Sequence, residues 1–279
     1  MDHPDLDIAA YGLAKDFLLQ SGADKGVTPE LIEGYLRLST PRPEALPGVY
    51  ESLLESAQSA ERKATVIGGA IGGVRKLEPL LCDFDPDQIA RKYATGQEVF
   101  EDIVTHLNLR GNINRSSKGM WPRYCGTILS GARFLSQFAS ADDFYEWVDA
   151  FDMLDDRARP ALPMLLAQEI DGFGFALACN FVKELGYENF SKPDVHVKDI
   201  FWALGLSPRG TNDYEVFKAV ARVARHAGVT PYNVDKLFWL IGSGYFHGNP
   251  EIGINGKIGR LKKQFIETAQ TVLEQEQQT

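Results

Sequence analysis

Cysteine is scarce in this chain: there are three in 279 residues, Cys82, Cys125 and Cys179. An odd, widely spaced set excludes a disulfide framework, a zinc site and an iron–sulfur cluster, so no metal and no cofactor are expected. Long apolar runs are also lacking. None approaches the ~18 residues needed to cross a bilayer, and the acidic start MDHPDLDIAA has no charged-then-apolar signal pattern. The expectation is a cytoplasmic protein, nucleoid-associated in a bacterium, with no membrane partner. Sustained apolar–polar alternation is absent, which argues against a sheet. The glycine pairs at 68–69 and 72–73 are not followed by Gly-Lys-Ser/Thr and make no phosphate loop. There is no internal repeat.

One absence has positive content. No acidic residue falls between Ile103 and Ala141, a span that carries Arg110, Arg115, Lys118, Arg123 and Arg133. The formal net charge of −9 argues against a generally basic nucleic-acid binder, but charge distribution matters more than the sum. A basic island in an acidic chain is either a solvated face or a local anion surface.

What is present reads as helix. The 44% hydrophobic and 24% charged residues are ordinary for a globular protein with a sizeable core. Phe144, Trp147, Val148 and Phe151 recur at helical spacing behind a capping Ser140. Leu162, Leu165 and Leu166 follow, then Ala178, Phe181, Val182 and Leu185, then Val197, Ile200, Phe201 and Leu204. Thr230-Pro231 opens a helix bearing Val234, Leu237, Phe238 and Ile241. A further amphipathic helix is predicted after Lys257, through Ile258, Leu261, Phe265 and Ala269. The class is all-α. Three segments are expected: residues 1–100 as a separate helical region with a proline-rich connector TPRPEALP, a core over 101–205, and C-terminal helices over 206–279 that complete a second subdomain.

The stretch EIDGFGFALACNFVKELGYENFSKPDVHV, from Glu169 to Val197, carries the chemistry. A helix ends near Ile170, Asp171-Gly172-Phe173-Gly174 turns the chain, and a new helix starts at about Phe175. Glycines permit positive φ and close backbone approach. Turn amides and the following helix N-terminus together make a small anion site that suits a DNA phosphate. A plain helix–helix turn has the same composition. Further on, Pro193 precedes Asp194 at an N-cap. Capping alone accounts for an aspartate there. A carboxylate kept ionised by helix amides also suits stabilisation of positive charge on a sugar.

The hairpin and the PDVHV segment together resemble the helix–hairpin–helix DNA glycosylase superfamily. There, a Leu-Pro-Gly-Val-Gly-like hairpin is followed by an aspartate in a Val-Asp-x-His-like context. The spacing agrees, since Asp194 lies eighteen residues after Ala176. The likeness is strongest from about 162 to 206. It implies two helical subdomains with a DNA-binding cleft, double-stranded DNA as partner, a monomeric protein, and extrusion of the target nucleotide. It also implies that Asp194 faces the deoxyribose C1′, with Gly172, Phe173 and Gly174 against DNA. Bifunctional relatives carry a lysine where this chain has Ala176, so the resemblance implies a monofunctional enzyme that leaves an abasic site. Lys118, Lys183, Lys192 or Lys198 replaces that lysine only if the fold places one of them in the site. Asp171 stands where relatives often have proline.

NLRGNINRSSKGMWPRYC, from Asn108 to Cys125, resembles a loop of the 8-oxoguanine glycosylases in which an asparagine fills the gap left by the flipped nucleotide. Asn112 is the nearest match, then Asn114, with Arg110, Arg115 and Lys118 as phosphate contacts. Trp121, Phe175, Trp202, Trp239, Tyr245 and Phe246 are aromatic candidates for a base pocket, and His196 and His247 are polar ones. Two further functions stay open: a non-catalytic helix–hairpin–helix DNA binder, and a bifunctional glycosylase/lyase with a relocated lysine.

Overall fold

The computed structural model describes residues 3–38, 41–58, 67–111, 113–116 and 119–276. Two helices, α1 (Pro4–Gly22) and α2 (Pro29–Leu36), come first. Eight follow: α3 (Leu46–Ala57), α4 (Gly68–Ile71), α5 (Pro86–Lys92), α6 (Gly96–His106), α7 (Met120–Leu135), α8 (Ala141–Asp152), α9 (Ala161–Glu169) and α10 (Phe175–Glu184). The last four are α11 (Val195–Ala203), α12 (Asp213–Ala227), α13 (Pro231–Ser243) and α14 (Lys262–Glu276). Among the described residues, β structure is confined to isolated bridges, Tyr245 with Lys257 and Ile254 with Lys257. The all-α expectation is met.

Several helix starts follow from local chemistry. The Ser140 hydroxyl accepts from the Asp143 amide, and Asn212 does the same for Glu215. Thr230 and Asn233 form a capping box with Pro231 in the first turn. Each side chain satisfies an amide that the helix itself leaves without an acceptor.

By contact the chain divides into two compact units: residues 1–39 with 187–279, here the terminal unit, and residues 40–186, the central unit. This differs from the division by sequence into 1–100, 101–205 and 206–279. The first two helices pack with the C-terminal ones, and α3 to α6 pack with the middle of the chain.

In the terminal unit, α1 lies on α12, α13 and α14, while α11 packs on α13. Phe17, Phe265, Phe238 and Phe201 meet in turn, tilted or edge-on, through one apolar core. A buried ionic clasp joins α1 to α12. The Asp7 carboxylate, 0% exposed, accepts from Arg222 Nε at 2.8 Å and Nη2 at 2.9 Å, and meets His226 Nδ1 at 2.7 Å. The C-terminal helix starts later than its sequence pattern suggests. Ile258 and Leu261 are buried but precede α14, because Gly259 takes φ +105 and breaks the run.

In the central unit, α7 is the hub, packed on α3, α5, α6 and α9. A Cβ on Gly96 would lie 3.0 Å from the Gly126 backbone, so α6 and α7 come this close only because Gly96 lacks a side chain. Phe134, Phe138, Phe144, Trp147 and Phe151 form a continuous ring cluster beside them. The VIGGAIGGV stretch, in its described part, is the single turn α4 ended by Gly72 and Gly73 at φ +84 and +112.

Candidate functional site

The hairpin belongs to the central unit. α9 ends at Ile170, and α10 starts behind Gly174 with no side-chain cap. α7 holds the turn in place: Thr127 Oγ1 donates to Asp171 O at 2.6 Å, and the Asp171 amide donates to Ser130 Oγ at 2.9 Å. The two glycines have different grounds. Gly172 takes φ +74, and a Cβ there would lie 3.0 Å from Thr127 Oγ1. Gly174 has an extended φ of −74 and nothing within 4 Å of where a Cβ would be. The fold therefore requires glycine at 172 and not at 174. Gly172→Ala is expected to destabilise the protein by about 1–2 kcal/mol, from left-handed backbone strain. Gly174→Ala should stay within about 0.5 kcal/mol of wild type, and thermal unfolding of both variants checks the pair.

Among the described residues, the amides of Gly172, Gly174 and Ala176 meet no acceptor. The Phe173 amide is spent on Ile170 O, and its ring is 2% exposed against Phe181. Phe173 is therefore core, which corrects its assignment to a DNA-facing role. Trp121 is corrected likewise: it is 4% exposed and packs edge-on against Tyr124. Both are large apolar groups placed on inward helix or turn positions, where burial is the stronger demand. Phe175 stays partly exposed at the start of α10. A pocket beside the hairpin is lined by Ile67, Met120, Arg123, Tyr124, Thr127 and Gly172.

The basic island is partly neutralised. Arg110 is exposed, and its amide donates to Ala70 O. Arg115 is exposed and lies 3.6 Å from the Glu101 carboxylate. Asn114 Oδ1 accepts from the Ser116 amide in a local turn. Asn112 and Lys118 lie outside the described residues.

Asp194 belongs to the terminal unit and caps α11. Its Oδ1 accepts from the amides of His196 at 2.8 Å and Val197 at 3.1 Å. Its Oδ2 accepts no hydrogen bond among the described residues, and the side chain is half-buried. One oxygen thus anchors the carboxylate through the amides of the first turn. The His196 ring lies against α13, where a Cβ on Gly242 would come within 2.4 Å of His196 Cβ. A glycine inside a helix costs about 1 kcal/mol, and here it makes room for that ring. Gly242, the next-to-last residue of α13, is what lets the ring approach.

Burial pushes the His196 pKa down; the Asp194 and Asp199 carboxylates push it up and Lys262 pushes it further down. His196 Nδ1 is buried without a partner. Burial also lowers His247. For a histidine held below its ordinary pKa of about 6.5, the unfolded chain binds the proton first as pH falls. Stability from these two groups is therefore complete above about pH 6.5 and lost below it. The thermal midpoint is expected to fall from pH 7 to pH 5, less steeply in a His196→Gln, His247→Gln double variant.

Other aromatic candidates sort by contact. Trp202 donates Nε1 to Thr211 Oγ1 at 3.2 Å and rests on the core. Phe246 is fully buried, which removes it from the pocket set. Trp239 stacks on His247 at 5.9 Å with planes 20° apart, and Tyr245 meets the same imidazole at 4.0 Å. Lys236 Nζ lies 5.6 Å from the ring centres of both Trp239 and Tyr35. Lys236 and Tyr35 were not legible as site residues, because nothing local in the sequence marks a contact between residues two hundred positions apart.

Neither a protein-family model nor a curated protein matches this sequence. Among solved structures, the chain is similar to the crystal structure of Methanocaldococcus jannaschii 8-oxoguanine glycosylase/lyase in complex with 15mer DNA containing 8-oxoguanine. The TM-score is 0.49 at 12% identity, over 81% of this chain and 97% of that one.

Of the candidate lysines, three lie among the described residues. Lys198 Nζ lies 2.7 Å from Asp213 Oδ1. Lys183 is buried, with Nζ 3.6 Å from Glu184. Lys192 is half-buried, and its amide donates to Asp235 Oδ2 at 2.8 Å. The described residues hold no cluster of three or more His, Cys, Asp or Glu suited to a metal ion, and no helix among them is long and apolar enough to cross a membrane.

Proposed function

We propose that this protein is a monofunctional DNA glycosylase that hydrolyses the bond between deoxyribose and a damaged or modified base flipped from duplex DNA. The observation that carries the reading is Asp194: a carboxylate fixed by two helix amides through one oxygen, with the other oxygen unengaged.

The chemistry follows from the geometry. The C1′–N bond breaks with its electron pair leaving on the base, and positive charge develops on the sugar. A fixed anion stabilises that charge without reorganising. Water bonds to C1′ through its oxygen, Asp194 Oδ2 takes up the proton, and that proton passes on to the departed base, which is released neutral. Ala176 offers no amine, so no Schiff base forms there. Lys198 Nζ is held by Asp213 Oδ1 at 2.7 Å. The hairpin supports phosphate binding. Gly174, which the fold does not require, leaves room for the backbone of a partner, and Gly174→Ala should weaken DNA binding without loss of stability. In the terminal unit His196 and Trp239, and separately in the central unit Phe175, are the base-contact candidates this reading retains.

The test is single-turnover base release from a panel of lesion duplexes, with borohydride trapping in parallel. Release without a trapped adduct supports the reading. A trapped adduct makes the enzyme a lyase. Tight binding with no release from any duplex makes it a non-catalytic binder.

A further inference from the structure

Exposed large apolar side chains of the central unit are concentrated in one place. Among the described residues seven such side chains are exposed, and the four that belong to this unit all fall between positions 153 and 165. They are Met153 at 82%, Leu154 at 40%, Met164 at 43% and Leu165 at 36%. Single exposed hydrophobics need no explanation, whereas a group of them marks an interaction surface. Met153 and Leu154 follow the last turn of α8, and Met164 and Leu165 lie on α9, which packs on α8.

The turn between the two helices is fixed. Arg159 donates Nε to Asp152 O at 3.1 Å and Nη2 to Leu154 O at 2.6 Å, and its Nη1 donates to Asp156 Oδ1 at 2.6 Å. Asp155 Oδ1 accepts from the amides of Arg157 and Ala158, each at 3.0 Å. Met153 and Leu154 are thus displayed on a braced backbone, which loses little freedom on contact.

Charge here has one sign. From Asp142 to Asp156 the chain has seven carboxylates and no Lys, Arg or His. Asp142, Glu146, Asp149 and Met153 recur at i, i+4, i+7 and i+11, one stripe along α8 that is acidic at its start and apolar at its end. Arg157 and Arg159 engage Asp155 and Asp156, and Arg42 lies 3.8 Å from Asp149. Asp142, Asp143 and Glu146 are exposed and meet no cation among the described residues. Helix stability does not ask for this pattern. Like charges three and four positions apart repel, and acids in a last turn oppose the helix dipole, yet α8 has no basic residue there.

We propose that α8 and the turn after it dock a cationic amphipathic helix of a partner protein. Its Lys and Arg side chains meet Asp142 and Glu146, and its apolar side meets Met153 and Leu154. Methionine suits such a surface because its unbranched thioether adapts to the shape of a partner, and an amphipathic helix supplies anchors at matching spacing. Charge complementarity selects this occupant. Duplex DNA and anionic lipid are repelled by the same carboxylates, and a second copy meeting this face with its own would set acid against acid.

The experiment uses the full chain and, as probe, a fluorescein-labelled model helix of leucine and lysine with one apolar and one cationic face. Anisotropy is expected to show saturable binding, absent for a scrambled peptide of the same composition. A Met153→Ser, Leu154→Ser double variant should weaken it by on the order of tenfold, and so should Asp142→Lys with Glu146→Lys. All the side chains changed are exposed, so one thermal midpoint is expected throughout. Reversal of two exposed carboxylates elsewhere, Asp16→Lys with Asp24→Lys, should leave binding unchanged. Absence of saturable binding, wild-type affinity in the serine variant, or equal weakening by the distant reversal would overturn the proposal. So would a wild-type dimer in sedimentation that the serine variant dissociates, since the face would then hold a second copy.

Discussion

Asp194→Asn is expected to slow single-turnover base release by on the order of 10²–10³-fold, while fold and DNA affinity stay close to wild type. The substitution separates two roles of one side chain. Asparagine is as good an N-cap as aspartate, so the amides of His196 and Val197 keep an acceptor and α11 keeps its start. What disappears is the negative charge and the proton acceptor at Oδ2. Asp194→Ala is the less informative variant, since it also removes the cap and costs about 1 kcal/mol. Equal release rates for wild type and Asp194→Asn would sink the catalytic role, whatever substrate is found. Equal DNA affinity with reduced release places the effect on the chemical step and not on binding.

The second large effect is on stability. Asp7→Ala should destabilise the protein by about 3 kcal/mol, the lower part of the range for removing one partner of a buried ion pair. The lower part applies because the Arg222 side chain keeps 21% exposure and its bond to Leu206 O, so the orphaned cation is not stranded without water or acceptor. At a few degrees per kcal/mol, the midpoint should drop by roughly 10 °C. Asp7→Asn should lose clearly less, since it can still accept from the guanidinium. Differential scanning calorimetry is the measurement of choice, because a chain of two units need not unfold in one step. A midpoint within a degree of wild type for Asp7→Ala would refute the clasp as an anchor of α1 to α12. An arginine and a histidine packed on one aspartate invite replacement of the whole set by apolar residues, which buried ionic sites often tolerate. Single removal is therefore the sharper test.

The parts of the site that sequence reasoning reached are those set by neighbours along the chain. Asp194 caps α11, Ser140 caps α8 and Thr230 caps α13, because a cap is chemistry between residues two or three positions apart. The hairpin was legible for the same reason: Gly172 takes the positive φ that a tight turn needs. Helical periodicity located α8, α9, α10, α11 and α13 but misplaced the start of α14, where Ile258 and Leu261 fit the spacing yet sit in a glycine-broken loop.

Local pattern could not say what each apolar side chain meets. Trp121, Phe173 and Phe246 read as pocket candidates or DNA contacts and are core, while Trp239 remains at a surface with His247 and Lys236. Nor could it say that residues 3–38 join the C-terminal helices, where Asp7 is sealed under Arg222 and the Tyr35 hydroxyl donates to His247 O. By itself, then, the sequence determined the helical class, the hairpin, the alanine at 176 and the capping aspartate. The tertiary structure decided which oxygen of Asp194 is left open, which glycine the fold can spare, and which methionines face outward. The physical reason is range: caps and turns are satisfied within a few residues, whereas burial and ion pairing depend on groups that only folding brings together.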